Sequence, residues 1–104
     1  MTMSDLSISE IQIIPINLQK GLSAFASCVI NDQFHLNSLG IYTSPSSPLG
    51  FRLTYPTKLL GNGSKIDIFY PINKEVGTLM ESQIVEQYKK LMEDLMKGDA
   101  SDGR

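Results

Sequence analysis

The side chains able to do chemistry are few and scattered. His35 is the only histidine and Cys28 the only cysteine in 104 residues. General acid–base catalysis needs a titrating group held beside a positioned partner, and His35, mid-strand near polar Asn37, reads instead as a solvent-facing side chain. One histidine, one cysteine and dispersed carboxylates give no metal-ligand spacing. Cys28 has no partner for an internal disulfide, and on a strand it reads as a small buried apolar group. The run Gly61-Asn62-Gly63-Ser64-Lys65 has the outline of a phosphate-binding loop. It lacks the span before Gly-Lys-Ser/Thr, however, and it joins strand to strand with no helix N-terminus to receive a phosphate. It is therefore read as a glycine-rich hairpin loop, and Asp67 beyond it as a structural carboxylate bonding turn amides. No catalytic residue, metal or cofactor is assigned, and neither an enzyme nor a small-molecule substrate is expected.

What must position any site is a single small domain. A chain of this length has room for one core. Its apolar fraction of 41% is ordinary for a folded soluble protein, and its charged fraction of 19% lies somewhat below the usual quarter. The longest apolar runs, such as Ile13-Ile14, are too brief to cross a bilayer, and Met1 to Asp5 lacks the basic-then-apolar pattern of a signal peptide. A cytoplasmic location and no membrane partner are expected, and the formal sequon Asn62-Gly63-Ser64 then carries no meaning. The net charge of −2 supplies no global basic field for a polyanion. Any positive patch has to be made locally. The domain is expected over residues 1–97, with the polar, aperiodic 98–104 as a disordered tail.

Alternation predicts five strands. Ile11 and Ile13 mark a short first strand closed by Pro15, as at a strand end or sheet edge. After a turn at Gln19-Lys20-Gly21, the residues Leu22, Ala24, Ala26, Cys28 and Ile30 share one face, and their small size suits close packing under a helix. Asn31-Asp32-Gln33 is a tight-turn sequence, followed by Phe34 and Leu36 in phase and then by Leu39 and Ile41 out of phase. A slip of one residue near Ser38 to Gly40 predicts a β-bulge. The segment Thr43 to Pro48, with its two prolines, is a mobile loop. Leu49, Phe51, Leu53 and Tyr55 form a half-buried fourth strand that stops at Pro56; Lys58 to Lys65 is a loop, and Ile66, Ile68 and Tyr70 against Asp67 and Phe69 make the fifth strand.

A long amphipathic helix closes the chain. Asn73 can cap it, and Thr78-Leu79-Met80-Glu81 also fits a capping box, so its first turn has two readings. Lys97 and Gly98 suit its end. Val76, Met80, Ile84, Tyr88, Leu91 and Leu95 form one stripe, widened by Val85, Met92 and Met96. That arc is broader than one sheet face requires, which predicts that the helix also contacts a second subunit.

Several short sequences together resemble the stage V sporulation protein G (SpoVG) family. They are Ala24-Phe25-Ala26-Ser27, Asn31-Asp32-Gln33-Phe34, Gly50-Phe51, Tyr55-Pro56-Thr57-Lys58, Gly63, Asp67-Ile68, Pro71-Ile72-Asn73 and Tyr88, and the resemblance spans about residues 8 to 92. It implies an α+β fold, a five-stranded antiparallel meander sheet with a C-terminal amphipathic helix, that dimerises through sheet and helix. It further implies a bacterial regulator of septation, sporulation and gene expression that binds DNA or RNA. Where relatives often carry basic residues this chain has Ser23, Gly40, Leu59 and Gly77. The cations it retains, Arg52, Lys58, Lys65 and Lys74, are the candidate nucleic-acid-binding residues, with Phe69 or Tyr70 as exposed aromatics for base stacking. The alternative is a protein-interaction module on the same dimeric scaffold with nucleic-acid binding lost.

Overall fold

Four antiparallel strands, β1 (Ile8–Gln19), β2 (Leu22–Ile30), β3 (Phe34–Thr43) and β4 (Phe51–Thr54), form one sheet in chain order. This computed structural model describes the backbone of residues 6–102 and the side chains of residues 6–17 and 20–96. Two very short strands, β5 (Thr57–Leu59) and β6 (Lys65–Asp67), make a separate antiparallel ribbon, and a single helix, α1 (Lys74–Asp102), packs across one face of the large sheet. The α+β architecture is the expected one; the single five-stranded sheet is not. Pro56 has no N–H to continue a ladder at the end of β4, and the chain turns there into β5. The expected fifth strand over Ile66 to Tyr70 therefore pairs with Thr57–Leu59, within what alternation alone reads as loop.

Local chemistry accounts for the turns. Lys20 at φ +53° and Gly21 at φ +90° take the left-handed conformations that a two-residue hairpin demands, and Gln19 pairs directly with Leu22. Asn31 and Asp32 also have positive φ, and Asn31 Oδ1 accepts the Ser7 N–H at 2.7 Å, tying the start of β1 to the β2–β3 turn. The predicted bulge is present: the register shifts between Ala26 opposite Leu39 and Cys28 opposite Leu36, with Ser38 at φ +65°. β1 runs through Pro15, which sits on the sheet's outermost strand, where a missing N–H breaks no ladder.

The core lies between helix and sheet. Ala24, Ala26, Cys28, Leu39, Ile41 and Leu53 from the strands meet Met80, Ile84 and Tyr88 from α1, with Phe51 packed edge-on to Tyr88 at 5.2 Å between ring centres. The small residues of β2 lie within this core. Asn73 is the helix cap, its Oδ1 accepting the Val76 N–H at 2.8 Å, so the first of the two readings of the helix start holds. The apolar arc of α1 is covered by its own chain as far as Met92, while Leu95 and Met96 are exposed. At the other end α1 continues to Asp102, past the stop expected at Lys97 and Gly98. A helical glycine costs about 1 kcal/mol relative to alanine and does not forbid the helix.

Candidate nucleic-acid interface

All four candidate cations are exposed, and the fold distributes them over several surfaces. Arg52 alternates with buried Leu53, which turns it to the sheet face away from α1. There it stands opposite Tyr42 of β3, its guanidinium carbon 5.4 Å from the ring centre, a cation–π contact that holds the charge on that face. Lys74 is the first residue of α1 and so belongs to the helix layer, on the other side of the sheet.

The β5–β6 ribbon carries the remaining two. Lys58 lies opposite Ile66, and Lys65 lies opposite Leu59. Residues directly across an antiparallel ladder share a face and neighbours along a strand do not, so Lys58 and Lys65 occupy opposite faces of the ribbon. Lys65 shares its face with Asp67. The connecting loop is a plain hairpin turn: the Leu60 N–H donates to Ser64 O at 2.8 Å, the Gly63 N–H to Leu60 O at 3.0 Å, and Asn62 Oδ1 accepts both the N–H and the hydroxyl of Ser64.

Of the two aromatics expected to be free for stacking, only Tyr70 is. Phe69 is half-buried, packs against the core and meets Tyr55 edge-on at 6.1 Å, because the chain after β6 turns the Phe69 side inward. Ile66, Ile68 and Tyr70, which alternate with Asp67 and Phe69, are all exposed.

Glu81 is the polar residue that sequence reading missed. It was visible only as a capping-box partner, yet its Oε2 accepts the Leu53 N–H of the edge strand β4 at 2.9 Å. Beside it the Tyr55 hydroxyl lies 3.7 Å from Met80 Sδ, and burial first, then the charge of Glu81 and Cys28, pushes the phenol up to about 12. Lys74 and Glu81 together line a cleft of about 460 Å³ floored by Leu53, Tyr55 and Gly77. His35 is exposed, with Nε2 3.2 Å from Asn37 Oδ1. Cys28 is fully buried, and burial raises its thiol pKa.

One of the positions lacking a basic residue is closed to one. Gly40 is buried on β3, and a Cβ built there falls 2.7 Å from Thr54 Oγ1 and 3.0 Å from the Tyr42 ring. Ser23 is buried as well. Leu59, by contrast, is exposed, and a Cβ at Gly77 meets only Pro71 at ordinary contact distance.

The charges segregate along the chain. Between Gly50 and Lys74 stand Arg52, Lys58, Lys65 and Lys74 against the single carboxylate of Asp67, in a chain whose net charge is −2. A model of the SpoVG family matches residues 6–90. The chain belongs to the SpoVG family. The SpoVG match takes in all six strands, the four cations and the helix as far as Lys90.

Similar proteins bear the name "Putative septation protein SpoVG". One from an Anaeromyxobacter species is 28% identical over 95 residues, covering 91% of each chain. Another from Bdellovibrio bacteriovorus is 26% identical over 90 residues, 86% of this chain and 80% of its own. A third, from onion yellows phytoplasma, is 26% identical over 89 residues, 86% of this chain and 87% of its own. Among the described residues no helix is long and apolar enough to cross a membrane.

Proposed function

We propose that this SpoVG-family chain is a homodimeric regulator that binds nucleic acid through phosphate contacts from Arg52, Lys58, Lys65 and Lys74, acting in septation, sporulation and gene regulation without a catalytic step. The observation that carries the reading is the local excess of exposed cations from Arg52 to Lys74 in an otherwise acidic chain. Affinity for a polyanion grows with each phosphate neutralised, and a dimer doubles the count within one molecule. Because the cations lie on several faces, the nucleic acid is gripped by its backbone over an extended track, with Tyr70 available for stacking.

One observation favours the second reading, a protein-interaction module. The packing at Gly40 leaves no room for a basic side chain, and large apolar side chains stand exposed beside Lys58 and Lys65. Fluorescence anisotropy with single- and double-stranded DNA and RNA separates the two. Under the first reading, binding is measurable at about 50 mM salt and collapses by about 200 mM as counterions compete for the phosphates. Absence of binding at the lower salt rejects it and leaves the interaction module.

A further inference from the structure

The loop that joins β5 to β6 carries a reactive pair. Of the asparagines in the chain, only Asn62 is followed by glycine. An asparagine carboxamide carbon and the next backbone nitrogen can close a five-membered ring, and a side chain on the following residue crowds that approach; glycine has none. Asn62 and Gly63 are both exposed, and nothing lies within 4 Å of where a Cβ on Gly63 would stand. Asn62 Oδ1 accepts the Ser64 N–H at 3.0 Å and the Ser64 hydroxyl at 2.7 Å. Both donors sit on the oxygen that gains negative charge when a nucleophile adds to the carbonyl.

One contact opposes the reaction. The Gly63 N–H, which must lose its proton to become a nucleophile, donates to Leu60 O at 3.0 Å and fixes the turn peptide in place. That bond lasts as long as the ribbon stays closed. Each ribbon strand has three residues, all exposed, and an isolated two-stranded ribbon is at best marginally stable in water. Local opening of such a unit costs far less than global unfolding. The Ser64 donors, two residues along the chain from Asn62, do not depend on strand pairing.

We propose that Asn62 is a self-modification site, converted to a carboxylate by attack of the Gly63 nitrogen, and that opening of the β5–β6 ribbon gates the conversion. Once the Gly63 N–H has given its proton to hydroxide, the nitrogen forms a bond to Asn62 Cγ. The Cγ–Nδ2 bond then breaks, and the amide leaves as ammonia after taking a proton from water. A second water opens the cyclic imide at either carbonyl, giving aspartate or the isomer whose main chain runs through the side-chain carboxyl. Nothing is oxidised or reduced, and the net exchange is O for NH. From Thr57 to Asp67 the ribbon holds Lys58 and Lys65 against Asp67 alone, and a carboxylate at position 62 cancels that positive excess. The isomer also lengthens the main chain inside the loop, misaligning the Leu60 N–H and Ser64 O that close it at 2.8 Å. The conversion needs only this loop and stands whether or not the chain binds nucleic acid.

Timed incubation of the full chain in mildly alkaline buffer tests the site. Peptide mapping by mass spectrometry reads the gain of O for NH at each asparagine, and isoaspartate-specific methylation reads the isomer. Conversion is expected at Asn62 well ahead of Asn31, Asn37 and Asn73, and at least about threefold more slowly in the native chain than in the same chain unfolded in guanidinium. Stitching the ribbon tests the gate. Leu59 and Lys65 are paired next to the Leu60–Ser64 hydrogen bond, which makes them a non-hydrogen-bonded pair with Cα atoms about 4.5 Å apart, within disulfide reach. In the double variant Leu59→Cys with Lys65→Cys, the oxidised form is expected to convert Asn62 about fivefold more slowly than the reduced form of the same protein. Cys28 is fully buried and takes no part, and circular dichroism establishes that the variant is folded. Conversion at Asn62 no faster than at the other asparagines overturns the site. A native rate equal to the unfolded one, or equal rates with the disulfide closed and open, overturns the gate.

Discussion

Glu81 stands among ordinary helix glutamates in the sequence, yet in the fold it satisfies the backbone of an edge strand. Removing its carboxylate leaves the Leu53 N–H without that partner, and Glu81→Ala is expected to lower stability by about 1 to 3 kcal/mol, read from the urea midpoint. Glu81→Gln keeps an acceptor oxygen and is expected to lose less. The neighbouring phenol gives a second check. Tyr55 holds its proton up to about 12, against 10.0 for an ordinary tyrosine. A group whose pKa is raised by folding contributes stability that is complete below the unfolded value and is lost as pH climbs through the folded one. Stability is therefore expected to fall between about pH 10 and 12 in the parent and to fall less in Tyr55→Phe. The tyrosinate absorbance missing from that variant is expected to be the part that titrates near pH 12.

At the scale of elements, alternation and turn chemistry made most of the sheet legible. The small residues of β2, the bulge at Ser38, the hairpin at Lys20-Gly21 and the helix stripe all follow from side-chain period and backbone sterics, which act locally. The fifth strand was misplaced for a physical reason: alternation in Ile66 to Tyr70 states that the chain is extended but not which strand it joins or which side is buried. Gly40 shows the same limit. Its absent side chain looks like a lost charge in the sequence, whereas in the sheet it makes room for Thr54 and Tyr42. Gly40→Ala is expected to cost about 1 to 3 kcal/mol through overpacking. Adding Thr54→Ala removes the closest clashing atom and is expected to recover part of that loss in thermal melts.

For the molecule as a whole, charge is organised by position and not by total. If phosphate contacts come from the 52–74 segment, then Arg52→Ala and Lys58→Ala are each expected to weaken binding to all sequences alike and to reduce the log–log salt slope by about 1. Lys65→Ala is expected to change the slope less than Lys58→Ala, since Asp67 shares its face of the ribbon and competes for the charge. Anisotropy titrations at several salt concentrations measure both. The four candidate cations were nameable from residue type and family pattern, but their placement on separate faces was not. What the sequence alone determined is the set of local preferences: which runs extend, which turn, which face of the helix is oily, and to which family the pattern is similar. Only the tertiary structure decided that the chain beyond Pro56 stays out of the large sheet as a separate ribbon, that Glu81 seals β4 and that Phe69 turns inward. Each of these depends on contacts between residues far apart in the chain, and a one-dimensional pattern carries no information about which distant groups will be brought within reach.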